Sequence, residues 1–177
     1  MEVTVSKLGH DGLQKTFVVI LQEKEGTRVL PIWIGRPEAE SIAAHLHGVP
    51  RDRPMTHDLV RSILTSLDGR LTRIVVTRVV EHTYYAEMHI ARGDDSYVVD
   101  ARPSDAISVA LRCGAPIFAA ESLLDEYEQL RAAEDADVAA DETGASDAAA
   151  AESGSYAENL RRHLEQLKPE DFGKFSL

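Results

Sequence analysis

The sequence predicts an α+β fold built on a mixed, mainly antiparallel sheet, and three observations carry that prediction. Short β-prone segments separated by Gly, Pro and Asp turns alternate with stretches whose apolar residues recur at helical spacing. The order β-β-β-α occurs twice. Each occurrence passes from strand to helix through an Arg-Pro step, Arg36-Pro37 and Arg102-Pro103. The two halves also match at Thr16-Phe17 and Thr83-Tyr84, Gly26 and Gly93, Ala44 and Ala110, and Gly48 and Gly114, which reads as an internal duplication with a one-residue indel. Chance likeness of strand-turn-helix units is the alternative, since Gly and Pro punctuate most such units, but the shared β-β-β-α order and Arg-Pro corner favour duplication. A duplication would bring the two Arg-Pro corners together across a pseudo-twofold axis.

In chain order, Val3 and Val5 alternate with polar residues as a strand that ends at a His10-Asp11-Gly12 turn. The unbroken run Phe17–Leu21 reads as a strand covered on both faces. Val29–Ile34 is a third strand, and Pro31, which has no N–H for a ladder, places it at an edge or bulge. Ala39, Ile42, Ala43 and Leu46 form one face of a helix, with Pro37 in its first turn and Gly48 past its end. A second helix has Thr56 as N-cap and Leu59, Val60, Ile63, Leu64 and Leu67 as its apolar face, and stops at Gly69. Strands are predicted over 71–80, 84–90 and 97–99. A third helix opens at Arg102-Pro103-Ser104-Asp105 and closes at Gly114. Pro116-Ile117-Phe118 is a short last strand, and Leu123, Leu124, Tyr127 and Leu130 mark a fourth helix.

These elements fill a domain over residues 1–130. Residues 131–154 are Ala, Asp, Glu, Ser and Gly with little else, a composition too poor in apolar surface to offset its ordering entropy, although its Ala content also suits helix. Residues 155–177 begin with the capping-box pattern Ser155-Tyr156-Ala157-Glu158 and continue with Leu160, Leu164 and Leu167 at helical spacing. The net charge of −11 is uneven: residues 1–120 carry 14 basic against 15 acidic side chains, and residues 121–177 carry 5 against 15. A nucleic-acid footprint on this near-neutral domain must therefore be local. No apolar run is long enough to cross a bilayer, and the first residues lack the pattern of a secretory signal. A single cysteine, Cys113, excludes an internal disulfide. The expected compartment is the cytoplasm.

Three strings, LPIWIGRPEAESIA (Leu30–Ala43), RPMTHDL (Arg53–Leu59) and VDARPSDAISVALR (Val99–Arg112), with the closing APIF (Ala115–Phe118), resemble the bifunctional nuclease family over roughly residues 1–125. The resemblance implies a compact α+β domain that self-associates, and an activity on DNA and RNA taken from plant members. It supplies no catalytic set.

The residues themselves offer one. Metal-dependent phosphodiester cleavage uses carboxylates to hold Mg²⁺ or Mn²⁺, and Asp58, Asp100 and Asp105 are the candidate ligands, with Glu38 and Glu40 behind them. His57 is a candidate base or ligand. Arg36 and Arg102 stand at helix starts, where free N–H groups favour phosphate. Each has a structural alternative: Asp58 and Asp105 complement helix dipoles, Arg102 pairs with Asp100 or Asp105, and His57 sits beside a cap. No histidine pair has the helical spacing of a zinc motif. Tyr84, Tyr85 and Tyr97 offer faces for base stacking, but cross-strand packing is the commoner role of such residues and they alternate poorly with basic ones. Arg51, Arg53 and Arg61 make the best local basic patch, diluted by Asp52 and Asp58. Two functions follow as expectations: a metal-assisted nuclease acting on DNA or RNA, or a non-catalytic, self-associating binding module, homo-oligomeric in either case.

Overall fold

The computed structural model describes residues 1–11 and 16–141. Seven strands form one sheet in the order β3-β2-β1-β7-β4-β5-β6. They are β1 (Glu2–Asp11), β2 (Thr16–Glu23), β3 (Val29–Ile34), β4 (Arg70–Val80), β5 (Thr83–Arg92), β6 (Asp95–Ala101) and β7 (Ile117–Ala119). The helices are α1 (Arg36–Leu46), α2 (Thr56–Ser66), α3 (Pro103–Cys113) and α4 (Glu121–Asp141). Every pairing is antiparallel except β4 with β7. The two meanders, β1-β2-β3 and β4-β5-β6, flank β7 symmetrically, which is the arrangement an internal duplication produces. Bulges between Val5 and Lys7 in β1, and between Leu71 and Arg73 and Val76 and Arg78 in β4, bend the sheet into a curl.

The core lies inside that curl. All five residues of the Phe17–Leu21 run are buried, so β2 is covered on both faces as its composition predicts. Leu71, Ile74 and Val76 of β4 and Ala86 and Met88 of β5 meet Ile107, Val109 and Ala110 of α3, while Leu123 and Leu124 anchor the first turns of α4. Pro31 sits in β3 at the sheet edge, where its missing N–H costs no ladder bond. Gly114 closes α3 at φ 64°, a left-handed position that suits glycine.

Several local expectations change. β1 does not turn at His10-Asp11: the ladder to β2 continues through His10↔Phe17 and Asp11↔Thr16, and the His10 ring lies 4.5 Å from that of Phe17. Thr56 is the first residue of α2 rather than its cap. The Met55 N–H donates to the Asp58 carboxylate at 2.9 Å, which closes the first turn one residue earlier. Leu46 is exposed, not packed. α2 has no fully buried residue at all: Val60 and Leu64 rest against the core, while Leu59, Ile63 and Leu67 face outward with Met55. The helix predicted over the fourth apolar pattern runs to Asp141, into the Ala-rich stretch. The rest of that stretch and the amphipathic pattern over 155–167 lie outside the described residues. No helix among the described residues is long and apolar enough to cross a membrane.

Candidate functional site

Three helix N-termini each carry an acid at the third helical position, Glu38 in α1, Asp58 in α2 and Asp105 in α3. Acids there complement the positive end of the helix dipole. They also compete for the donors that a phosphate would use. The Arg-Pro corners do come together: Arg102, at the N-cap of α3, reaches Glu38 of α1 at 3.0 Å. Arg102 also donates through Nε and Nη2 to Asp105, at 2.7 and 3.1 Å. Arg36 pairs with Glu40 at 2.7 Å. Both arginines expected to hold phosphate are thus engaged by carboxylates.

From Asp105 a continuous polar chain crosses the α1–α2–α3 junction. His57 places Nε2 3.2 Å from Asp105 Oδ1 and Nδ1 2.8 Å from Ser41 Oγ. Arg112, in the last turn of α3, donates through Nη2 to Ser41 Oγ and to the Ser41 carbonyl, both at 3.2 Å. Its Nη1 donates to the Ser108 carbonyl at 3.0 Å and its Nε to Asp58 Oδ1 at 2.6 Å. The Arg112 side chain is 5% exposed and that of His57 14%, so most of this chain is shielded from water.

Partial burial pushes the Asp58 carboxyl up, but the Met55 N–H and the Arg112 guanidinium outweigh it and hold the group below its ordinary value. Asp105 behaves alike: burial raises it, and the bonds from Arg102 and His57 bring the net below normal. An ionised Asp105 accepts, so the network assigns the ring proton to Nε2 and leaves Nδ1 as an acceptor for the Ser41 hydroxyl. The order is Asp–His–Ser, with Arg112 polarising the serine oxygen. Ser41 and Arg112 line a cavity of about 430 Å³ between α1, α2 and the loop joining them, so the outer end of the relay opens on space. Such a relay can take a proton from an oxygen at the Ser41 position and stabilise the resulting imidazolium.

The expected metal cluster does not assemble. Asp58 and Asp105 both reach the junction, but each is bound to an arginine. Asp100 is on the other side of the sheet: it pairs with Glu87, which shares its face with His89, whereas Ala86 and Met88 alternate into the core. Among the described residues no three His, Cys, Asp or Glu side chains converge as a metal site. The four carboxylate oxygens of Asp58 and Asp105 already accept from Met55, His57, Arg102 or Arg112, so neither side chain offers the free carboxylate that holds Mg²⁺ or Mn²⁺. Two members of the site, Ser41 and Arg112, escape a sequence reading. Ser41 looks like a filler on an apolar helix face, and Arg112 looks like a charge placed to offset a helix C-terminus.

A curled seven-stranded sheet with three helix N-termini joined by a histidine-centred polar chain defines an α+β domain with a candidate acid-base site. The chain belongs to the family of the bifunctional nuclease domain, whose model matches residues 19–131. It is similar, at 35% identity over 97% of both chains, to an uncharacterized protein of Mycobacterium tuberculosis. It is 32% identical over 103 residues to bifunctional nuclease 2 and 30% identical to bifunctional nuclease 1 of Arabidopsis thaliana. Those two matches cover 56% of this chain and only 31% and 32% of the plant proteins, so the chain spans about a third of their length.

Proposed function

We propose that the protein hydrolyses phosphodiester bonds in nucleic acid, with His57 as general base. The observation that carries this reading is the two-sided bonding of His57, Nε2 to Asp105 and Nδ1 to Ser41 Oγ, with Ser41 lining an open cavity. The partial similarity to plant proteins named bifunctional nucleases supports nucleic acid as the substrate class. Asp105 holds the ring in one tautomer, and Arg112 offers positive charge beside the attacked phosphorus. The Ser41 hydroxyl marks the place of the oxygen that His57 deprotonates. No step passes through a metal ion.

The test is digestion of single- and double-stranded DNA and RNA by the purified full chain, with and without chelator. Parent protein is expected to cut in the presence of chelator, and His57→Ala to lose at least 100-fold in rate while remaining folded. Equal rates for parent and His57→Ala would end this reading. Ser41→Ala separates two chemistries: cutting is lost if the hydroxyl itself attacks, and survives if a water occupies its place.

A second reading, a self-associating module without turnover, is favoured by α2. Met55, Leu59, Ile63 and Leu67, spaced four apart, are each about half exposed on a helix that buries nothing fully. Such a stripe suits a protein interface. On this reading the parent sediments as a dimer or larger species, and Leu59→Glu with Ile63→Glu sediments as a monomer. A parent monomeric at all concentrations would remove it.

A further inference from the structure

Four arginines of this domain are committed to carboxylates: Arg28, Arg36, Arg102 and Arg112. Arg51, Arg53 and Arg61 have no ion pair among the described residues, and all three line one open cleft of about 630 Å³ between α2 and the loop before it. Among the described residues Asp58 is the only acid lining that cleft, and its carboxylate is already taken by Arg112 and the Met55 N–H. On α2 the lining residues Asp58, Arg61, Ser62 and Thr65 share one face, distinct from the apolar stripe. The Ser62 and Thr65 hydroxyls donate to their own helix, at 2.9 and 3.0 Å, so the charged donors in the cleft are the guanidinium groups.

This cleft adjoins the cavity of the relay. The two share Val49, Arg51 and Asp58, and the second leads to Ser41 and Arg112. An uncompensated basic strip on an otherwise near-neutral domain is what a local polyanion footprint requires.

We infer that Arg51, Arg53 and Arg61 form a track for the phosphodiester backbone of single-stranded nucleic acid, running along α2 toward Ser41 and His57. The inference rests on the phosphodiester reading above and adds where the substrate lies and in what form. A single strand is favoured because the Ser41 end of the path is a recess of about 430 Å³. An intact duplex cannot bring an internal phosphate into such a recess without distortion.

Binding is measured on the full chain by fluorescence anisotropy with a twelve-nucleotide oligothymidylate in chelator, at KCl from 50 to 200 mM. Each phosphate neutralised on a single strand contributes about 0.7 to the slope of log affinity against log salt. The Arg51→Gln, Arg53→Gln, Arg61→Gln triple variant is therefore expected to lose about 2 from that slope, and on the order of 100-fold in affinity at 50 mM. Unchanged slope and affinity in the triple variant overturn the track, as does failure of the parent to bind at 50 mM. Tighter binding of a twelve-base-pair duplex overturns the single-strand assignment. Competition by polyglutamate as strong as that by the oligonucleotide shows an acidic-peptide dock instead. The two readings fail separately. If affinity depends on the arginines but no cutting depends on His57, the track stands and the catalytic reading falls. If His57-dependent cutting is unimpaired in the triple variant, the reverse holds.

Discussion

Arg112→Leu is expected to destabilise the domain by about 3 kcal/mol, a drop of about 10 °C in melting temperature, the larger of the two stability effects expected at this junction. The reason is the number of groups that one buried guanidinium satisfies. Its Nη2 serves the carbonyl and hydroxyl of Ser41 in α1, its Nη1 the Ser108 carbonyl in α3, and its Nε the Asp58 carboxylate in α2. Leucine keeps much of the aliphatic volume and leaves those acceptors without their donors. α2 suffers most, because it buries no residue fully and is tied to α3 chiefly through this bond and through His57–Asp105. Asp58→Asn is milder, about 1–2 kcal/mol, since the amide oxygen still accepts from Arg112.

The pH dependence has a definite sign. Asp58 and Asp105 both titrate below their ordinary values when folded. Their contribution is therefore complete above the unfolded carboxylate value of about 4, and is lost as pH falls through the folded values. Thermal melts from pH 7 down to 2.5 should show the parent losing stability below about pH 4. The gap to Arg112→Leu should narrow over the same range, because the variant has already lost the partner that depresses Asp58. A variant as stable as the parent at pH 7 would mean that the guanidinium bonds only replace equivalent bonds to water.

Most of the fold was legible because the local signals agree with the tertiary arrangement. The Phe17–Leu21 run needs cover on both sides and receives it, Pro31 needs an edge, and the repeated Arg-Pro steps place two strand-to-helix corners in contact through Arg102 and Glu38. The departures occur where long-range bonding overrides a local cue. The β4–β5 hairpin is not one of them: it turns on Glu81 and His82, at φ 46° and 63°, inside the break predicted between strands 71–80 and 84–90, although such positions favour Asn or Gly. The apolar face of α2 reads as a core face, yet half of it points away from the core.

The site was half legible for a similar reason. His57, Asp58, Asp105 and Arg102 are each close to a helix start, and the fold collects helix starts at one junction. Asp100 lies only two residues before Arg102, but strand alternation decides its direction: Ala101 pairs with buried Ala86, so Asp100 must point the opposite way. That could have been read from the period of two. Ser41 could not, because its partner Arg112 is 71 residues away and nothing local marks either as polar machinery.

Asp105→Asn tests whether the junction is a relay or only a clamp. On the relay reading, the carboxylate that accepts from His57 Nε2 also stabilises the imidazolium formed when Nδ1 takes a proton. An amide in its place removes that negative charge, and its –NH₂ group can bond the ring in the wrong tautomer. Cleavage is expected to fall by about 10²–10⁴-fold with substrate affinity little changed. A purely structural Asp105 would also lower activity if the fold loosened, so the rate alone does not decide. A second variant does. Asp105→Glu keeps a carboxylate near His57, and on the relay reading it recovers at least ten-fold of the rate lost in Asp105→Asn when thermal melts show the two variants equally stable. Equal rates for the two variants would make His57 part of the scaffold and leave the proton transfer to another group.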